Sequence, residues 1–386
     1  MNIIKNVPKL RFPGFSGEWE ERMVGNIGEI IGGGTPDTSM NEYWNGNIIW
    51  LTPTEIKNKY IEDSERKITK LGLRNSSAKL LPPKTLLITS RATIGDIAIA
   101  MKECCTNQGF QSIIVNENNN YDFVYYDLLR YKDTFIKYSK GSTFKELSKN
   151  EMKKIKIKIP LIKEQQKIAS FITAFDKKIE IVAKKIEHLE SYKKGLMQKL
   201  LTGEIRFPGF YGEWGKVNLN KIFKNYNEKN RQHNYKQYTI GKNGIKLIDD
   251  IRYNILNHKT FKLNDLIIGI GINEINLNIN IVNGCCSPIY TIYKIDEYIL
   301  NPIFGYYYIP KKIYEYRNKI TKISSRRNFD IIHKDLLNLQ IPFPSVEEQQ
   351  KIASFLTAID KKIELNKNKI ENLKTYKKGL LQKMFI

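Results

Sequence analysis

Histidine and cysteine are scarce in this chain, four of each among 386 residues. The cysteines form two adjacent pairs, Cys104-Cys105 and Cys285-Cys286, unlike the two-residue-spaced ligand pairs of zinc knuckles. A metal site is not expected, and the thiols read as buried and free. No run approaches the roughly 18 apolar residues of a membrane span. Residues 1–10 hold no apolar stretch of the kind a secretory signal carries, so a cytoplasmic protein without a membrane partner is expected. Acids are also in the minority, 40 Asp and Glu against 63 Lys and Arg, for a net charge of +23. Residues 20–158 carry 21 basic and 17 acidic side chains, and residues 215–340 carry 20 and 10. No acidic domain offsets the excess, so the expected partner is a polyanion, most simply nucleic acid. No Asp/Glu/Lys nuclease cluster and no Ser/His/Asp arrangement stands out.

What the chain does have, it has twice. Arg11-Phe12-Pro13-Gly14-Phe15 returns as Arg206-Phe207-Pro208-Gly209-Phe210, each followed by Gly-Glu-Trp (Gly17-Glu18-Trp19 and Gly212-Glu213-Trp214). Glu164-Gln165-Gln166-Lys167-Ile168-Ala169-Ser170-Phe171 returns as residues 348–355, and that match runs on through residue 383. The stretches between the repeated blocks barely resemble one another. Cys105 and Cys286 lie 181 positions apart, close to the offset of the repeat, which marks them as equivalent strands of two bodies that share a fold. The expected organisation is an N-terminal repeated segment (1–19), a first variable body (20–158), a central repeated segment with a long helix (159–214), a second variable body (215–340) and a C-terminal repeated segment with a second long helix (341–386).

The long helices are read from periodicity. Apolar residues fall at Ile168, Ile172, Phe175, Ile179, Val182, Ile186 and Leu189, then at Leu196 and Leu200, in alternating steps of four and three up to Leu189, which is a coiled-coil seam. The second helix repeats it with Ile352, Leu356, Ile359, Ile363, Asn366, Ile370 and Leu373. Asn366 stands where Val182 stands in the first; a polar residue in a seam costs stability and can fix register. About 38 residues at 1.5 Å each make a rod of roughly 57 Å. If the two helices pair antiparallel, the two ends of the chain meet and the bodies are related by an approximate two-fold axis. The bodies read as mixed α/β, so the expected class is α+β: two globular domains separated by two long helices forming an antiparallel coiled coil. Strands are expected at residues 48–51, 85–89, 111–115, 265–270 and 288–293, with turns at Asn45-Gly46 and Pro82-Pro83. Helices are expected at 121–139 and 302–320.

At this point the residues resemble the specificity subunit of bacterial type I restriction-modification systems, over essentially the whole chain. The strongest element is Pro-x-x-x-Glu-Gln-x-Lys-Ile-Ala before a long helix, present twice. Gly33-Gly34-Thr35-Pro36, Trp50-Leu51-Thr52-Pro53, Ser90-Arg91-Ala92-Thr93-Ile94-Gly95 and Ser287-Pro288-Ile289-Tyr290 support it. The resemblance implies that each body reads one half of a split double-stranded DNA target. It also implies that the helices set the gap and dock two modification subunits, which carry adenine-N6 methyltransferase activity and S-adenosylmethionine. Translocating restriction subunits join them, and this chain itself binds no cofactor and does no chemistry. Two unrelated bodies imply an asymmetric target, unlike the palindromes read by symmetric dimers.

Candidate DNA contacts fall in two loops at equivalent places, Gly141-Ser142-Thr143 with Lys145, and Ser324-Ser325-Arg326-Arg327-Asn328. Hydroxyls and backbone amides suit phosphate oxygens, and arginine suits a guanine edge. Arg91, Asn107 and Gln108 in the first body and Lys242 and Asn243 in the second are further candidates. Two rival readings remain. Asn301-Pro302-Ile303-Phe304 resembles the Asn-Pro-Pro-Phe motif of amino-methyltransferases, but no strand and glycine-rich cofactor loop precede it. A stand-alone coiled-coil DNA-binding regulator accounts for the charge and the helices, but does not require two divergent bodies at fixed spacing.

Overall fold

The computed structural model describes residues 6–141, 145–231, 235–241, 244–248, 257–270, 275–279, 282–322 and 330–386. It divides into two units, Met1–Ala183 with Lys369–Ile386, and Lys184–Asn368. Each unit therefore holds one body, the start of one long helix and the end of the other.

In the first unit the β-branched runs form a five-stranded sheet in the order Gly28–Gly32, Gln111–Val115, Leu86–Ile88, Ile97–Ala100, Tyr60–Ile61. Beside it lies a three-stranded sheet, Arg66–Ile68, Trp44–Leu51, Cys104–Thr106. Strands Leu86–Ile88 and Ile97–Ala100 are buried along their whole length, as their unbroken apolar sequence requires. In the second unit the sheets run Phe223–Tyr226, Thr291–Ile295, Leu266–Ile270, Ile275–Ile279, and Gly244–Leu247, Gln237–Gly241, Gly284–Cys286, Lys259–Phe261. The cysteine pairs occupy matching strands. Cys104–Thr106 runs parallel to Trp44–Leu51, with Trp50 opposite Cys105, and Gly284–Cys286 runs parallel to Gln237–Gly241, with Tyr238 opposite Cys286. All four thiols are buried and free. Burial pushes Cys104 and Cys286 up to about 12 and Cys105 up to about 11, so they stay protonated and unreactive at neutral pH.

Three local expectations are corrected. Asn45-Gly46 is a bulge inside one strand: Trp44 and Ile48 both sit opposite Ile68, residues 45–47 loop out, and Asn45 has φ +59°. The expected helix over 121–139 is broken by a 3-10 turn, Leu129–Tyr131, between Tyr121–Leu128 and Lys132–Tyr138. The strand expected from Pro288 starts at Thr291, because Ser287 O accepts from Tyr290 N and closes a turn there.

The long helices span Ile162–Leu200 and Val346–Met384. Glutamates stand in their first turns and a lysine in each last turn, which complements the helix dipole. In the first unit, Ile168 and Ile172 share a core with Leu380, Met384, Phe385, Trp19 and Phe123. In the second, Leu200 and Leu201 share one with Ile352, Leu356, Phe304 and Tyr308. The residue numbers rise along one helix and fall along the other inside the second unit: Glu190 meets Lys367, Lys193 meets Asp360, and Leu200 lies in the core with Ile352. No helix among the described residues is long and apolar enough to cross a membrane.

Candidate nucleic-acid interface

The repeated residues turn out to be an anchor that fixes each body to its helix. Glu164 is 2% exposed, and Arg11 donates to both of its carboxylate oxygens at 2.8 and 2.7 Å. The third guanidinium nitrogen donates to Gly17 O, in a turn that glycine allows at φ +82°. Arg206 does the same to Glu348, at 2.8 and 2.6 Å, and to Gly212 O. The following glutamine reaches into the body. Gln165 accepts from Asn120 N and donates to Pro160 O and Asn119 Oδ1; Gln349 accepts from Asn301 N and donates to Pro344 O and Ile299 O. Asn120 and Asn301 in turn cap helices Tyr121–Leu128 and Pro302–Glu315 through their side-chain oxygens. Asn301-Pro302 is thus a helix cap with proline in the first turn, and its amide is held by Gln350 at 2.6 Å. The methyltransferase reading of that motif loses its key side chain.

A second repeated contact lies one helical segment further. In the first unit Tyr126 donates to Asp176 at 2.5 Å, and Lys377 pairs with the same carboxylate. In the second, Tyr307 donates to Asp360 at 2.5 Å, and Lys193 pairs with it at 2.6 Å. Burial first, and the carboxylate second, push both phenols up. The first unit adds Lys59, which lies 2.7 Å from Asp122; burial lowers its pKa against the pull of that carboxylate.

The short familial motifs of the first body, far apart in sequence, meet on one edge. Gly34 N donates to Thr106 O and Trp50 Nε1 to Gly34 O. A Cβ on Gly33 would run into Asn107 O and Thr106 O. Asn107 N donates to Leu51 O, Ser90 N to Gly109 O and Leu147 N to Ser90 O. Lys140 and Glu146 exchange backbone hydrogen bonds, and Gly141 and Lys145 next to them are both exposed. A cavity of about 990 Å³ opens beside it, between Arg91, Ile94, Lys132, Ile136, Lys145 and Glu146.

The candidate side chains separate here. Arg91 is exposed but paired with Glu146 at 2.9 Å. Asn107 Oδ1 accepts from Gly109 N at 2.8 Å and so shapes its own loop. Gln108 is exposed at the loop tip, where Thr35 Oγ1 donates to its Oε1 at 2.6 Å. Thr35 is not among the residues expected from sequence to touch DNA; its only sequence signal is its place in Gly33-Gly34-Thr35-Pro36. In the second body the matching loop presents Ile289, 57% exposed. The loop after Phe223–Tyr226 there, with Lys229 and Arg231, lines a cavity of about 880 Å³; it corresponds to the loop of Thr35 by strand order. Ser142, Thr143, Lys242, Asn243, Ser324, Ser325, Arg326, Arg327 and Asn328 lie outside the described residues.

Of the seam residues, Ile168, Ile172, Val182, Ile186, Ile352, Leu356, Ile359 and Ile363 are buried, and Phe175, Ile179, Leu189, Asn366, Ile370 and Leu373 are half-buried. Asn366 satisfies its amide within its own helix, donating to Lys362 O at 2.6 Å. Among the described residues no three His, Cys, Asp or Glu side chains gather as a metal site would need.

A family model described as type I restriction modification DNA specificity domain matches twice, over residues 16–191 and 210–375. The type I restriction enzyme MjaIX specificity subunit of Methanocaldococcus jannaschii is 41% identical over 180 residues, 45% of this chain and 41% of that protein, so the chain spans about two fifths of that relative's length. The MjaVIII specificity subunit of the same organism is 24% identical over 400 residues, 94% of this chain and 91% of the relative. The crystal structure of the type I S subunit from M. genitalium has a similar fold, with a TM-score of 0.61 at 16% identity, covering 98% of this chain and 99% of that one. Two copies of one family's domain thus account for most of the residues, and the chain belongs to the type I restriction-modification DNA specificity family.

Proposed function

We propose that this chain is the non-catalytic, DNA-reading subunit of a type I restriction-modification complex. The bodies at residues 20–158 and 215–340 each read one half of a bipartite, asymmetric target. The paired helices form an antiparallel coiled coil that sets the unread gap. Two modification subunits, carrying S-adenosylmethionine and methylating adenine N6, dock on the repeated scaffold, and restriction subunits join the same complex.

One observation carries the reading: the scaffold repeats on its outside as well as its inside. Packing explains why buried seam positions recur. It does not explain why exposed ones do, among them Lys167 and Lys351, Ser170 and Ser354, Ala174 and Ala358, all open to solvent in both copies. The bodies have diverged, so a retained exterior points to a partner that treats both halves alike, and two copies of one modification subunit fit that demand. The net charge of +23 supplies the attraction for DNA.

The test maps N6-methyladenine genome-wide in cells supplying a cognate modification subunit, with and without this chain. A split, asymmetric motif is expected only with the chain. Methylation that ignores the chain, or a contiguous motif, favours a stand-alone DNA-binding protein instead. Exchanging residues 20–158 for another such body is expected to change one half of the motif and leave the other.

A further inference from the structure

We infer that Gln108 reads an adenine in the half-site taken by the first body, and that Thr35 is the positioning residue that aims it; this rests on the reading of residues 20–158 as a DNA-binding body. The argument begins with what the neighbouring candidates are doing. The amide oxygen of Asn107 is held by Gly109 N, and the Arg91 guanidinium by Glu146. Gln108 alone of the three has no structural task beyond its contact with Thr35, and it stands exposed at the tip between strands Cys104–Thr106 and Gln111–Val115.

The tip is rigid. Its backbone is pinned by Asn107 N to Leu51 O and by Gly109 O from Ser90 N. The opposing loop lies so close that Gly33 leaves no room for a Cβ, and its carbonyl at Gly34 is fixed by the buried Trp50 indole at 2.9 Å. That loop delivers the Thr35 hydroxyl to Gln108 Oε1 at 2.6 Å. A side chain with its amide plane set before binding loses less freedom on contact.

The outward chemistry selects the base. One lone pair of Gln108 Oε1 takes the Thr35 hydroxyl; the other lone pair and the Nε2 hydrogens remain. Adenine offers one donor and one acceptor side by side in the major groove, N6–H and N7, and an amide answers both. Guanine presents two acceptors, cytosine only a donor, and thymine an acceptor and a methyl, so each leaves half of the amide unmatched.

The experiment uses the complex with its modification subunits and reads binding and N6-methylation on duplexes changed one base pair at a time in both half-sites. Gln108→Ala is expected to lose roughly ten- to hundredfold discrimination at one A·T pair of one half-site. Gln108→Glu, which accepts but cannot donate, is expected to shift preference there toward cytosine. Thr35→Val is expected to blunt selectivity at the same pair, and Thr35→Ser, which keeps the hydroxyl, to preserve it. The second half-site, read by residues 215–340, reports in every variant that the complex is intact. Discrimination unchanged in Gln108→Ala, or weakened equally at all bases as for a phosphate contact, overturns the inference. A loss in Thr35→Ser equal to that in Thr35→Val overturns the positioning role. A wild-type complex that reads no split motif defeats the underlying DNA-reading proposal instead, so the two failures are told apart.

Discussion

Asp127 shows how little a nearby cation helps a carboxylate that is fully desolvated. It is 1% exposed, with Arg130 at 3.2 Å. Burial outweighs the arginine and pushes the carboxyl up to about 7 from its usual 3.8. The folded state therefore holds a proton that the unfolded chain has released between those values, and stability falls as pH rises through that window. Asp127→Asn is expected to flatten this dependence and to exceed the parent at pH 8, by at most about 4 kcal/mol from the shift. Hydrogen exchange of the helix Tyr121–Leu128 at pH 5 and pH 8 measures it, and a parent that gains stability toward pH 8 contradicts the sign. The sequence could not show this, because Arg130 beside Asp127 looks like an ordinary i,i+3 ion pair. It also gave Asn301 a chemical look, since a capping asparagine before proline and a substrate-holding asparagine before proline differ only in what surrounds them. In both cases the deciding quantity is burial or a partner about 50 residues away, which short-range pattern does not carry.

At the scale of elements, the long helices were legible because their seam repeats locally, and the cysteine pairs were legible as matching strands because the repeat supplies an internal ruler. What joins helix to body was not legible. Glu164-Gln165 sits in the first turn and reads as a helix-start signal, yet its partners, Arg11 and Asn120, are 153 and 45 residues away. The turn expected at Asn45-Gly46 is a bulge for the same reason: a left-handed asparagine before glycine suits a hairpin turn and a bulge equally, and the pairing partner Ile68 decides. The anchor gives a paired prediction. Glu164 and Glu348 are 2% and 1% exposed, so removing either arginine strands a buried charge. Arg11→Ala is expected to cost about 3–5 kcal/mol in the first unit, and Arg206→Ala a similar amount in the second. Limited proteolysis with mass spectrometry assigns the loosened unit. Equal loosening of both units by either substitution would mean that the anchors do not act locally.

For the whole molecule, the duplication itself was the most legible feature, and it leads to a measurement of length. Under the proposed function the helices hold the two readers apart, so their length, not the bodies, sets the gap. Duplicating residues 177–183 and 361–367 inserts one heptad at matched places in both helices. A heptad returns the seam to within about 20° of its phase, so Ile186 and Ile370 keep their place in the seam and the exposed positions keep their face. Insertion in one helix alone breaks the match of the two seams and is expected to destabilise the pair rather than lengthen it. Seven residues add about 10.5 Å at 1.5 Å each, the rise of about three base pairs of B-DNA. Three pairs also turn the second half-site by roughly 100° around the duplex, given 10–10.5 pairs per turn. The lengthened complex is therefore expected to read both original half-sites across a gap up to three pairs longer, with weaker binding because one body must follow the turn. Methylome sequencing gives the gap directly, and a gap that stays the same while both half-sites are still read means that the helices are not the ruler.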